Sequence, residues 1–141
     1  MTSSSPLTRR AALSLGGATI VSVGAVALTA CSGANAIAEP PKFARNTPVA
    51  SLSDIPVGGT LSATVEGKPL LLAQPTEGKV VCFSAICSHQ GCTVSAAAKD
   101  FECPCHGSTY AAATGAVTHG PAEHSLARVQ VTVSGGSIVT A

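Results

Sequence analysis

Tryptophan is absent from this 141-residue chain, tyrosine occurs once and phenylalanine three times. Four aromatics, Phe43, Phe83, Phe101 and Tyr110, are too few and too scattered to form a stacking platform for nucleic-acid bases. Charge is equally scarce, at 11% of residues with a formal net charge of +1. Leaving out Arg9 and Arg10, six of the eight basic residues follow Cys31 and face all seven acidic ones, so no basic footprint exists for a polyanion. No nucleic-acid partner is expected. Beyond the N-terminal segment no long stretch shows helical periodicity. What remains is short β-branched runs punctuated by glycine and proline, the signature of an all-β chain.

The N-terminus speaks to compartment. Residues 1–10 are polar and carry Arg9-Arg10; Ala11 to Ala30 holds no charge, and the first acidic residue is Glu39. Residues 1–30 therefore read as an export signal or a membrane anchor. The arginine pair resembles a twin-arginine signal, with Ala11, Ala12 and Leu13 as a partial match to the hydrophobic residues that usually follow. Leu28-Thr29-Ala30-Cys31 resembles a bacterial lipobox, which makes Cys31 the expected site of lipidation. An uncleaved spanning helix competes with that reading, since the apolar run reaches the ~20 residues a span needs. Both place the folded part on the outer face of a bacterial cytoplasmic membrane, in agreement with positive charge on the N-terminal flank.

Residues 31–48, with Pro40-Pro41 and Pro48 and no apolar period, read as a flexible linker. Residues 49–141 suffice for one domain and not for two. Leu61 to Val65 and Leu70 to Gln74 flank a hairpin turn at Glu66-Gly67-Lys68-Pro69. Val80 to Ala85 alternates. Ser125 to Val133 and Ser137 to Thr140 pair around Gly135-Gly136.

Two cysteine- and histidine-bearing segments carry the chemistry, Cys87-Ser88-His89-Gln90-Gly91-Cys92 and Cys103-Pro104-Cys105-His106-Gly107-Ser108. Each half offers one Cys and one His, which suits an iron pair with two thiolates on one iron and two imidazoles on the other. Neutral imidazoles leave such a centre less negative and easier to reduce. A structural zinc site uses the same residue types, but zinc ribbons usually open each half with two closely spaced cysteines.

At these residues the chain resembles the Rieske iron–sulfur family, whose pattern is C-x-H in one loop and C-x-x-H in the next. The resemblance implies an all-β Rieske-type domain of short antiparallel strands with two cluster-binding loops, and one [2Fe–2S] cluster per chain. Its ligands would be Cys87 and Cys103 on one iron and His89 and His106 on the other. The same resemblance implies a disulfide between Cys92 and Cys105, the mark of the cytochrome bc-type subgroup, which soluble dioxygenase ferredoxins generally lack. Two buried free thiols are the alternative, and they require a reducing compartment. Ser108 and Tyr110 stand where high-potential members donate hydroxyl hydrogen bonds to cluster sulfur, and Gly120-Pro121-Ala122 resembles the loop that shields the cluster. As bare residues these are a turn, a strand aromatic and a proline turn.

Cys82, in an alternating strand, reads as an inert buried thiol, and His119 and His124 as loop or surface residues. No catalytic residue is expected. A mononuclear iron site of the oxygenase kind needs two histidines, a carboxylate and a pocket. By resemblance the chain is a one-electron carrier whose partners are cytochrome b- and c-type redox proteins and quinol, as in quinol–cytochrome c oxidoreductases. Gln90 departs from the Leu usual there, and the spacer from Gln90 to Glu102 is shorter. A stand-alone Rieske lipoprotein and a non-redox disulfide- or zinc-stabilised surface domain are the alternatives. Adjacency to a cytochrome b gene separates the first two, and the absorption spectrum excludes the third.

Overall fold

The structure, a computed structural model, describes residues 39–141. The expected export segment 1–30, Cys31 and the first part of the linker lie outside the described residues. In chain order the strands are β1 (Pro48–Ser51), β2 (Thr60–Val65), β3 (Lys68–Thr76), β4 (Lys79–Ser84), β5 (Ser95–Ala97), β6 (Asp100–Glu102), β7 (Thr109–Ala111), β8 (Val117–His119), β9 (Arg128–Val129), β10 (Val131–Ser134) and β11 (Ser137–Thr140). The one helical element among the described residues is a 3-10 turn at Leu52–Asp54. No helix there is long and apolar enough to cross a membrane. The all-β expectation holds.

Three antiparallel sheets form, ordered β1-β11-β10, β2-β3-β4-β9 and β5-β6-β7-β8. The second is the frame. Its β2–β3 hairpin turns at Glu66 and Gly67, whose φ values of 50° and 74° suit the primed two-residue turn that matches strand twist. Pro69 is already within β3, opposite Thr64. Alternation along β3 and β4 then sends side chains both ways. Leu70, Leu72 and Cys82 join Ile55, Val129 and Ile138 in one core, while Leu71, Ala73 and Phe83 join Phe101, Tyr110, Cys87 and Cys103 in another. With both faces covered, β3 is buried from Leu70 to Gln74 without a break.

The expected single strand from Ser125 to Val133 is divided. β9 pairs with β4 through Cys82↔Val129, and after the exposed Gln130 the chain enters β10, which pairs with β11. The apolar positions are as the sequence implies, but they serve two sheets.

Part of the expected linker is fastened to the domain. Lys68 Nζ donates to the Lys42 carbonyl at 2.8 Å and sits 4.7 Å from the Phe43 ring centre. Asn46 N–H donates to the Thr140 carbonyl at 2.9 Å, and Thr140 N–H to that of Thr47 at 3.0 Å.

Candidate metal centre

One turn is built twice to make the site. In the first loop, after β4, Cys87 N–H donates to the Cys92 carbonyl at 2.8 Å and Gly91 N–H to the Cys87 carbonyl at 2.9 Å. In the second, between β6 and β7, Cys103 N–H donates to the Ser108 carbonyl at 2.8 Å and Gly107 N–H to the Cys103 carbonyl at 3.0 Å. Gly91 and Gly107 turn through φ of 75° and 73°, where a Cβ is disfavoured. That requirement explains the glycine trailing each Cys/His pair. The same hydrogen bonds recur at Ala111 to Ala116, a third copy of the turn with no metal-binding side chain.

The two loops meet tip to tip. A Cys92–Cys105 disulfide ties them, with the Cα atoms 6.5 Å apart. The His89 and His106 rings lie 4.9 Å apart at 88° to each other. The site is sided: Cys87 and Cys103 are buried, at 3% and 1% exposure, whereas His89 is half-buried and His106 exposed. Phe101, Tyr110 and Leu71 pack behind the sulfurs.

Electrostatics favour a sulfur pair that carries negative charge unequally. Burial raises the Cys87 thiol, but hydrogen bonds from Tyr110 OH, the His89 N–H, Cys103 and the Gln90 N–H outweigh it, and the net direction is down. Cys103 moves up, through burial and then its negative neighbour Cys87, although the Cys105 and His106 N–H groups bond its sulfur. Each sulfur thus accepts N–H groups two and three residues ahead, so the turns repeat down to their sulfur contacts. Tyr110, wholly buried with its hydroxyl 3.2 Å from Cys87 Sγ, is pushed up to about 12 by burial first and by Cys87 second. A second negative sulfur beside the first is costly unless a cation lies between them.

The donor set suits such a cation. His89 Nδ1 is buried with no hydrogen-bond partner, an orphan that a bound metal would satisfy. Two sulfurs inside and two imidazoles outside, one of them with an inward-facing free nitrogen, fit a mixed thiolate and imidazole iron pair. The sulfurs of Cys92, Cys103 and Cys105 also lie within 4.8 Å of one another. Cys92 and Cys105 are spent in the disulfide, so that trio is no thiolate site.

The segment after β8 clamps both loops. Ala122 N–H donates to Ser108 Oγ at 3.0 Å, and Ser88 Oγ donates to the His124 carbonyl at 2.6 Å. Gly120, Pro121 and Ala122, joined by a cis Gly120–Pro121 bond, thereby lie against the second loop. Ser108 uses its oxygen as an acceptor here, which leaves its hydroxyl proton free to donate elsewhere. The Ser88 clamp has no signal in the sequence beyond a serine between two ligand candidates. His119 is exposed on β8 and His124 is half-buried, with its carbonyl in use. Cys82 is fully buried on the far face of β4, and burial pushes its thiol up to about 12.

Residues 45–131 match the Rieske [2Fe-2S] domain family. The iron-sulfur subunit of the cytochrome b6-f complex of Synechococcus elongatus is 41% identical over 88 residues, covering 59% of this chain and 49% of that one. The corresponding subunit of Gloeobacter violaceus is 36% identical over 105 residues, covering 62% and 56%. The chain thus spans about half the length of these curated relatives. Among solved structures, the cyanobacterial plasma membrane Rieske protein PetC3 of Synechocystis PCC 6803 superposes with a TM-score of 0.58 at 30% identity, over 67% of this chain and 98% of that one. With the paired loops, their sulfur-inward and imidazole-outward arrangement and a match over most of the described domain, the chain belongs to the Rieske [2Fe–2S] family.

Proposed function

We propose that this chain is a one-electron carrier in which Cys87 and Cys103 hold one iron of a [2Fe–2S] cluster and His89 and His106 the other. The observation that carries the reading is the sidedness of the loops: sulfurs against the core, imidazoles at the surface. When bound, the cluster supplies a one-electron redox couple in the Rieske range. The chain's residues do the rest. Tyr110 OH and the backbone N–H groups of both loops donate to the ligand sulfurs, which favours the more negative state. The disulfide and the two serine clamps hold the loops rigid, and the core behind the sulfurs excludes water. Transfer to a partner takes place at the exposed His106 edge, where the path through protein is shortest.

With His89 Nδ1 turned inward, Nε2 is the ring nitrogen left to exchange a proton with a substrate such as quinol. Cytochrome b- and c-type proteins are the proposed partners, at the outer face of a bacterial cytoplasmic membrane, by analogy with the b6-f subunits. A second reading, a stand-alone Rieske carrier, draws on the likeness to the plasma membrane Rieske protein of Synechocystis.

Iron and sulfide analysis with electron paramagnetic resonance of the reduced chain tests the function. Two irons and two sulfides with a rhombic signal of low average g are expected. Stoichiometric zinc without sulfide overturns it. Cys103→Ser and His106→Ala lose the cluster if the ligand assignment is right, and co-purification with a cytochrome b separates the complex subunit from the stand-alone carrier.

A further inference from the structure

The charges of the domain are sorted in space, and the chain enters the fold among the basic ones. Four of the six basic residues among those described, Lys42, Arg45, Lys68 and Arg128, gather there. Lys68 Nζ donates to the Lys42 carbonyl at 2.8 Å and covers the Phe43 ring, and a cavity of about 310 Å³ between this strap and β9 has Lys42 and Arg128 on its wall. Arg45 is exposed on the same strap. Glu39 and Glu66 oppose them, and Glu66 is already turned to Lys68 at 3.8 Å, the one ion pair among the described residues. Ala141 also lines the cavity, with no ion pair to either cation.

Elsewhere the balance is reversed. β3 runs nine residues from Lys68 to Thr76, which pairs with Lys79, so on the order of 27 Å separates those two lysines. Thr60 Oγ1 donates to the Ala98 carbonyl, which puts Lys99 at the end of β2 opposite the Val65–Lys68 pair. Both remaining lysines have an acidic neighbour in sequence, Glu77 beside Lys79 and Asp100 beside Lys99. Glu102 and Glu123, both exposed, add negative charge beside the Cys103–Ser108 loop.

We infer that the collar of Lys42, Arg45, Lys68 and Arg128 docks on anionic lipid headgroups, so that the domain rests against the bilayer by the face where its tether enters. The inference rests on the reading of the N-terminal segment as a membrane attachment. Lys42 follows Cys31 by 11 residues, at most about 40 Å of extended chain, so the collar stays in reach of the bilayer. Tethering at that reach supplies a high effective concentration, and a few cations then suffice where a free domain would dissociate. The cavity between the strap and β9 leaves room for a phosphodiester between Lys42 and Arg128. Glu102 and Glu123 are repelled by the same surface, which decides the side that goes down.

The test inserts the full chain through its own N-terminal segment into nanodiscs of phosphatidylcholine alone or of an equal mixture with phosphatidylglycerol. A water-soluble acetylating reagent labels the lysines, and peptide mass spectrometry compares Lys42 with Lys99. With phosphatidylglycerol the rate at Lys42 should fall at least about threefold relative to Lys99, and high salt should restore it. Arg45→Gln with Arg128→Gln leaves the reporter lysine in place and should restore it too, whereas Arg45→Lys with Arg128→Lys should keep the protection, which separates charge from folding. An anchored chain whose Lys42 is unprotected overturns the inference and leaves the attachment reading intact. Equal slowing of Lys42 and Lys99 overturns it as well, because that reports the field of the bilayer and not a docked face. So does protection that is the same in phosphatidylcholine or persists in the glutamine variant, since charge would not be what holds the face. A chain that leaves the discs at high salt sinks the membrane-attachment reading itself, and the inference with it.

Discussion

Tyr110→Phe isolates one atom at the site. The ring is wholly buried in the core behind the ligand loops, and phenylalanine keeps that packing, so the variant removes only the hydroxyl 3.2 Å from Cys87 Sγ. Cys87 still accepts the His89 and Gln90 N–H groups, so the sulfur is not orphaned and the stability cost should be modest, about 0.5–1.5 kcal/mol. The larger effect is on electron affinity. A hydrogen bond to a charged acceptor is worth roughly 1.5–3 kcal/mol, and it strengthens as negative charge accumulates on the sulfur. If about 1 kcal/mol of that is gained only on reduction, the midpoint should fall by roughly 40 mV, at ~59 mV per tenfold for one electron. Redox titration followed by electron paramagnetic resonance, on samples with matched iron and sulfide, reads the shift directly. A midpoint unchanged within about 10 mV, or a rise, would mean that the hydroxyl does not favour the reduced state, and the tuning role would fail.

Ser108→Ala should leave the Ala122 N–H without its partner and cost about 1–3 kcal/mol, with faster amide exchange at Ala122 to His124 than in wild type. Wild-type exchange there would show that the clamp is not needed. Cys82 should resist iodoacetamide at pH 8.5 in the folded chain and react fully in denaturant. Its thiol pKa rises from 9.0 to about 12 on folding, so the unfolded chain releases a proton the folded one keeps, and stability should fall as pH climbs through that window. Equilibrium denaturation should show this alkaline loss, on the order of 4 kcal/mol at most, and Cys82→Ala should flatten it. Cys31→Ala should block lipid modification of the exported chain; an intact, unacylated N-terminus on membrane-bound wild type, found by mass spectrometry, would make the segment a spanning anchor instead.

The two loops that carry the proposed ligands were legible because metal chemistry restricts residue type and spacing far more tightly than packing does. Two turns that each require a glycine four residues after the cysteine leave a mark in the sequence, at Gly91 and Gly107. The β2–β3 hairpin was legible for a similar reason, since Glu66-Gly67 is local turn chemistry. The division of Arg128 to Ser134 between two sheets was not. Alternation at Val129, Val131 and Val133 tells which side chains seek cover, not which sheet provides it, and the switch at Gln130 is decided by contacts with β4 and β11 far away in sequence. The three-residue strands of the β5-β6-β7-β8 sheet are too short to show a period, and Ser95 to Ala97 carries little β preference. The clamps from Ser88 and Ser108 are invisible for the same reason: each bridges positions 36 and 14 residues apart.

The sidedness of the site follows from where the central sheet puts its apolar residues. β3 and β4 must cover both faces, and the face bearing Leu71, Ala73 and Phe83 continues directly into Ala85 and Cys87. The Cys87 sulfur therefore lies in the same core as the strand that precedes it. Phe101 on β6 leads in the same way to Cys103, with its ring 6.0 Å from that of Phe83 in an edge-to-face contact. Once both cysteines are drawn inward by the strands that feed them, the histidines two and three residues later lie past the bend of each turn, toward solvent. The imidazole-outward arrangement that the proposed partner contact would use is thus a packing consequence. A substitution that weakens the Phe83–Phe101 contact, such as Phe101→Ala, should loosen the second loop, at a cost of about 3–5 kcal/mol in stability. In thermal unfolding of the loaded chain, cluster bleaching should then precede loss of the far-ultraviolet β signal. Simultaneous loss of both signals would show that the loops and the sheet stand or fall as one unit, and that the cluster is not held by this core contact in particular.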